Sequence, residues 1–285
     1  MTDTGPDHSA AASPASPQRV GEGTGERVAA FFDLDKTIIA TSSAYAFGRG
    51  FMDNGLITRQ EALELYLSKT SYMFSGHSSA KMDATRDRMA AMVKGWPVEQ
   101  VRDVVADTMV SVVTPAIYSE ARELIDYHRA QGHDLVILSA SASILVEPIA
   151  AELGIETIVA TQAEAKDGKL TGEITHYLKG DAKADAVRRL ADERGYDLAR
   201  SYAYSDSLTD VPMLAMVGHP VAVNPDRGLR KHAAANGWDI RSFKNPEPLF
   251  PSPGAKEIGI GAGMVASVAA LTAFGVWLAQ RRKSA

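Results

Sequence analysis

Five short apolar runs punctuate the chain: Val28-Ala29-Ala30-Phe31-Phe32, Leu135-Val136-Ile137-Leu138, Thr157-Ile158-Val159-Ala160, Tyr202-Ala203-Tyr204 and Pro220-Val221-Ala222-Val223. Their apolar character is continuous rather than alternating, so each reads as a strand covered on both faces, as parallel strands are. Between the runs lie stretches of helical character at 116–130, 144–153, 181–194, 211–216 and 226–235. This strand–helix alternation predicts an α/β open sheet, in which ligands bind beyond the carboxyl ends of the strands. Polar residues fall at those ends: Asp33 closes the first run, Ser139 the second, and Asp206 follows the fourth.

Two segments interrupt the alternation. Residues from about 41 to 113 are helix-patterned, for example at 58–68 and 80–93, and contain no further buried-strand run, which predicts a helical insertion after the first strand. A smaller excursion spans 162–178, where Lys166-Asp167-Gly168-Lys169 signals a tight turn between two short polar strands.

The termini read differently from the body. Residues 1–26 are rich in Ala, Ser, Pro, Gly and Thr without apolar period, so a disordered tail is expected. No basic start followed by an apolar stretch marks a secretory signal, and the folded part is expected in the cytoplasm. Past the folded part at 27–242, the prolines 246, 248, 251 and 253 stiffen a linker over 243–257. The 22 residues 258–279 then run without a charge, and 280–285 form a basic tail. That length suits a bilayer span; Trp277 and Arg281-Arg282-Lys283 resemble interfacial anchors. Gly259 and Gly263 offer a small-residue face through which two such helices could form a homodimer. The expected location is therefore the cell membrane, through a single-pass C-terminal anchor. A buried Ala/Gly-rich helix is the alternative, and the basic cluster sits awkwardly with the positive-inside tendency.

Composition narrows the chemistry. The 285 residues carry 35 acidic and 30 basic side chains, a formal net charge of −5, which gives no basic field for nucleic acid. With no cysteine, thiolate zinc sites, disulfides and cysteine nucleophiles are all excluded. The seven histidines are scattered, with no pair at helical i, i+4 spacing, so metal chemistry falls to carboxylates.

Hydrolysis of a phosphate monoester needs a nucleophile, a proton donor for the leaving alkoxide and cations around the transferred group. Asp33 and Asp35, two apart at a strand end, suit nucleophile and general acid/base. Thr37 and Ser139 offer hydroxyls to phosphate oxygens, and Ser141 could share that contact. Asp206 and Asp210 can face one cation, and hard carboxylate oxygens suit Mg2+. Lys183, near the start of a helix, is the expected charge-neutralising lysine, with Lys179 second. Arg88, in the insertion, is a further candidate for a substrate anion.

Together, Asp33-Leu34-Asp35-Lys36-Thr37, Ser139, Lys183 and the Asp206/Asp210 pair resemble the four ordered motifs of the haloacid dehalogenase superfamily, over roughly residues 28–241. The insertion after the first motif is similar to the phosphoserine-phosphatase-like subgroup (subfamily IB type). The resemblance implies a Rossmann-like parallel sheet with helices on both faces and a helical cap at about 41–113. It also implies phosphorylation of Asp33, acid/base action by Asp35, and Mg2+ held by Asp33, the backbone carbonyl of Asp35 and Asp206, with Asp210 in support. P-type ion pumps share Asp-Lys-Thr, but the threonine four residues on fits Asp33 as nucleophile, whereas four past Asp35 lies Ile39. Phosphoserine phosphatases carry an acidic residue shortly after the first motif; here the stretch is Ala40-Thr41-Ser42-Ser43-Ala44. The expected activity is therefore a phosphatase for a small phosphorylated metabolite or a lipid-precursor phosphate. Phosphoserine phosphatase proper and a non-catalytic, membrane-anchored phospho-ligand binding module are the alternatives.

Overall fold

The structure, a computed structural model, describes residues 27–58, 60–61 and 79–246. The expectations for residues 1–26, for most of 58–68 and for the apolar stretch at 258–279 lie outside these. Among the described residues no helix is long and apolar enough to cross a membrane.

Strand β1 (Ala29–Phe32) is buried along its whole length. Ala30 and Phe32 enter the core on one face while Ala29 and Phe31 enter the core on the other, which is why the run is apolar without alternation. β1 lies between β2 (Asp134–Ala142) and β5 (Tyr202–Ser205), parallel to both. β3 (Thr157–Lys166) adds in parallel beyond β2, and β6 (His219–Val223) and β7 (Asp239–Arg241) add beyond β5. β4 (Lys169–His176) returns antiparallel on β3, giving the order β4-β3-β2-β1-β5-β6-β7. The Asp167-Gly168 turn of that hairpin has φ of 51° and 73°, the doubly left-handed backbone that a two-residue hairpin with this twist requires.

The insertion contributes α1 (Ser43–Asp53), α2 (Ser79–Met92) and α3 (Val98–Thr108), followed by a π-helical stretch, Met109–Val113, and a single turn, Thr114–Ala116. α1 and α3 approach closely at Gly50, where a Cβ would lie 2.4 Å from Thr108 Oγ1. The two crossings into and out of the insertion pair with each other. Ala40 N–H donates to Ala116 O at 2.8 Å, Tyr118 N–H donates to Ile38 O at 3.0 Å, and Ile39 bridges Ile117. This pairing holds Ile117 and Tyr118 extended, so the helix expected over 116–130 begins only at Ser119.

The remaining helices are α4 (Ser119–Ala130), α5 (Ser143–Glu152), α6 (Asp181–Arg194), the short α7 (Val211–Leu214) and α8 (Arg227–Asn236). α4 and α5 pack with α1 and α3 on the Phe32 face, and α6, α7 and α8 on the Phe31 face. The fold is thus α/β, a mostly parallel sheet with helices on both sides. The β3–β4 hairpin is also fastened to the insertion. Gly95 N–H donates to Leu170 O at 2.7 Å, Leu170 N–H to Trp96 O at 2.9 Å, and Val98 N–H to Gly168 O at 2.9 Å. Past β7, Phe243 exchanges two hydrogen bonds with the Asn224 side chain, and Glu120 accepts from the backbone N–H groups of Lys244 and Asn245. Residues 243–245 are thereby pinned to the start of α4 and the end of β6.

Candidate active site

Every residue of the site hangs on the carboxyl end of a strand or the start of a helix. Asp33 follows β1 and extends its pairing by one step, its N–H donating to Tyr204 O at 2.9 Å. The chain then reverses, with Leu34 O accepting from the N–H groups of Thr37, Ile38 and Ile39 at 3.3, 2.9 and 3.1 Å. Lys36 makes that reversal with φ of 62°, a left-handed backbone that side chains larger than glycine rarely adopt. Ser139 sits where the regular pairing of β2 breaks, three residues before its end, and Ser205 and Asp206 lie at the end of β5.

Lys183 is the third residue of α6 and is only 2% exposed. Its Nζ donates to Asp33 Oδ1 and to Asp210 Oδ2, each at 2.7 Å, and Ser205 Oγ donates to the same Asp210 oxygen at 2.7 Å. Gly180 caps α6 with φ 58° and ψ −121°, a conformation open chiefly to glycine, and this starts the helix against the loop that carries Asp210. Asp33, Asp206 and Asp210 are all buried, at 6%, 8% and 2% exposure.

Burial disfavours the ionised carboxylates and pushes Asp33 up to about 7, against the pull of the Lys183 ammonium. Asp206 is pushed up to about 8, first by burial and then by the neighbouring Asp33 charge. Burial alone would lower Lys183, but the carboxylates of Asp210 and Asp33 outweigh it and keep the ammonium charged. One buried ammonium thus faces three buried carboxylates.

Asp35 is held apart from this cluster. Its Oδ1 accepts from Ser43 N–H and its Oδ2 from Ser141 Oγ, both at 2.9 Å. Thr37 and Ser139 are 1% exposed; Thr37 Oγ1 lies 3.5 Å from Asp33 Oδ2, and Ser139 Oγ accepts from Ser141 N–H at 3.1 Å. The sequence thus pointed to Asp33, Thr37, Lys183 and Asp210, which meet here, and to Asp35, Ser139 and Asp206 beside them. It did not place Lys36, whose Nζ reaches within 3.9 Å of Asp206 Oδ2, nor Ser205 behind Asp210. Lys179 instead lies over the Tyr177 ring, 5.9 Å from its centre. Arg88 is an exposed residue of α2 and does not join the cluster; two residues earlier, Arg86 lies 4.8 Å over the Tyr177 ring.

The donor set fits a hard divalent cation. Burial leaves the carboxylates of Asp33 and Asp206 short of positive charge, which a bound cation would supply, and the family resemblance adds the backbone carbonyl of Asp35. Among the described residues no three acidic or imidazole side chains already converge on one cation-sized point. Asp210 is occupied by Lys183 and Ser205. Two carboxylates, a carbonyl and water are the few-ligand pattern that Mg2+ accepts.

The haloacid dehalogenase-like hydrolase family model matches residues 30–215, the span that carries all of these groups. A probable phosphatase of Mycobacterium tuberculosis is 45% identical over 262 residues, 91% of each chain. A phosphoserine phosphatase of the same organism is 35% identical over 85% of this chain and 80% of its own. A histidinol-phosphatase of Neisseria meningitidis is 31% identical over 75% of this chain and 98% of its own. Among solved structures, a Bordetella pertussis protein of unknown function, 28% identical, superposes with a TM-score of 0.65 over 79% of this chain and 99% of that one. The chain belongs to the haloacid dehalogenase-like hydrolases and is a phosphoric monoester hydrolase of that family.

Proposed function

We propose that the enzyme is a Mg2+-dependent phosphomonoesterase that works through an aspartyl-phosphate on Asp33. The observation that carries this reading is the buried Lys183 ammonium, 2.7 Å from both Asp33 and Asp210, at the carboxyl end of the central strand. Asp33 attacks phosphorus through one carboxylate oxygen as the bond to the leaving oxygen breaks, and Asp35 gives that oxygen its proton. Asp35 then takes a proton from the water that attacks phosphorus, which releases inorganic phosphate and restores Asp33. Thr37, Ser139 and Lys183 hold the phosphoryl oxygens through this exchange, and Asp210 keeps Lys183 in place. Asp33, Asp206 and the Asp35 carbonyl would hold Mg2+, which would supply positive charge to the phosphoryl oxygens.

The substrate class is a small phosphorylated metabolite or a lipid-precursor phosphate. Relatives named for phosphoserine and for histidinol phosphate support a small ester. The stretch Ala40-Thr41-Ser42-Ser43-Ala44 has no carboxylate for a substrate amino group, which favours neither of those two. The lipid option draws on the chain's exit. Glu120, at the start of α4, and Asn224, just past β6, pin residues 243–245 on the end of the sheet where Asp33 lies. A membrane anchor at 258–279, with the catalytic domain on the cytoplasmic side, would turn that end toward the bilayer. Turnover of a panel of phosphoserine, histidinol phosphate, glycerol phosphates and lysophosphatidate by the full chain, with and without Mg2+, tests the reading. Activity that survives Asp33→Asn contradicts it.

A further inference from the structure

Two serines, one from α1 and one from β2, grip the Asp35 carboxylate. Ser43, the first residue of α1 and fully buried, donates its N–H to Oδ1 at 2.9 Å. Ser141 donates its hydroxyl to Oδ2 at 2.9 Å, and Ser43 Oγ donates to Ser141 Oγ at 2.7 Å. Both carboxylate oxygens are therefore bonded, and the Ser141 hydroxyl is itself fixed by a second hydroxyl.

The backbone prepares this arrangement. β2 pairs with β3 through Ser139↔Ala160 and resumes at Ala142↔Thr161, so Ser139-Ala140-Ser141 opposes a single step of its neighbour. An irregularity of this kind re-aims side chains beside a site. Here it gives Ser139 and Ser141 different partners: Ser139 Oγ accepts from Ser141 N–H at 3.1 Å, while the Ser141 hydroxyl goes to Asp35.

We infer that Ser141, backed by Ser43, is a positioning residue: it fixes the rotamer from which Asp35 passes its proton to the leaving oxygen. The inference rests on the proposed roles of Asp33 and Asp35. It has a consequence that a phosphate-binding or merely structural role lacks. An aryl oxide leaves without a proton, whereas an alkoxide needs one as its bond to phosphorus breaks, so the penalty for a loose Asp35 depends on the leaving group.

The test is steady-state turnover of Ser141→Ala, Ser141→Thr, Ser43→Ala and the double alanine variant at saturating Mg2+. Two substrates are compared: p-nitrophenyl phosphate and a primary-alcohol ester that the wild type hydrolyses. Ser141→Ala is expected to lower kcat/KM, which reports the transfer to Asp33 and not the later hydrolysis, by about tenfold or more for the alkyl ester and by no more than about threefold for the aryl ester. Ser141→Thr, which keeps the hydroxyl, restores most of the alkyl rate. Ser43→Ala keeps the N–H bond and costs less, and its cost shrinks once Ser141 is already alanine, as coupled neighbours require. Equal losses of kcat/KM on both esters would show that Ser141 serves the phosphate instead, and an unchanged or higher alkyl kcat/KM would show that Asp35 needs no such grip; either result overturns the inference. Failure of the underlying reading looks different: aryl turnover would then persist in Asp33→Asn.

Discussion

Replacing Lys183 by methionine keeps much of the aliphatic stem and removes only the charge. The ammonium makes two 2.7 Å bonds, to Asp33 and Asp210, and is 2% exposed. Each charge-assisted bond is worth roughly 1.5–3 kcal/mol, and stripping one partner from a buried ion pair typically costs about 3–5 kcal/mol. Without the ammonium, three buried carboxylates confront one another, and protonating one of them is the cheapest relief. The loss should therefore be larger at pH 8 than at pH 6. Urea denaturation in EDTA at both pH values reads it. Lys183→Met should lose about 3–5 kcal/mol at pH 8, and the same substitution should cost less in an Asp33→Asn background. On the chemical side, a charged donor to the transferred group is lost, and kcat should fall by roughly 10²–10³-fold. A Lys183→Met protein within about 0.5 kcal/mol of the wild type at pH 8 would refute the reasoning.

Further expectations concern the metal, the insertion and the chain end. Asp33 and Asp206, pushed up to about 7 and about 8, bind protons in the folded state that the unfolded chain has already released above its ordinary carboxylate range. Metal-free stability should therefore fall as pH rises from 5 to 8, by about 1.4 kcal/mol per pH unit if the pair holds one extra proton. Mg2+ should raise Tm more at pH 8 than at pH 6, and a metal-free Tm flat across that range contradicts the charge imbalance. Gly50→Ala sets a Cβ 2.4 Å from Thr108 Oγ1, which is itself tied to Val104 O at 2.6 Å. It should cost roughly 1–3 kcal/mol by denaturant titration, partly recovered in Gly50→Ala/Thr108→Ala. Deleting residues 256–285 should move the protein from the membrane fraction to the supernatant while sparing turnover of soluble esters; a truncated protein still in the membrane fraction contradicts the anchor.

The central strands were legible because burial on both faces left no polar residue inside them, as Ala29–Phe32 and Val136–Leu138 show. β7 was not: Asp239, Ile240 and Arg241 are all exposed, and edge position alone makes them a strand. The break before α4 was also hidden, because it depends on Ile117 and Tyr118 pairing with Ile38 and Ile39, far away in sequence. In the site, polar residues directly after apolar runs marked Asp33, Ser139 and Asp206. A glycine before the helix start separates Lys183 from Lys179, since it sets which lysine turns inward. The Lys36 contact with Asp206 follows from a left-handed turn that D-L-D-K-T does not announce. Ser43 and Ser141, 98 residues apart, meet only because an irregular strand end faces the first turn of the insertion. Arg88 stands exposed on α2, and helical pattern alone does not tell a solvent-facing arginine from one that reaches substrate.

The central claim is that the phosphoryl group passes through Asp33. Acid quenching during turnover of a radiolabelled phosphate ester, followed by peptide mapping, measures this directly. The account predicts phosphate label on the peptide that carries Asp33, released by hydroxylamine and absent from Asp33→Asn. Full turnover with no label on that peptide, or label on a different residue, would contradict it.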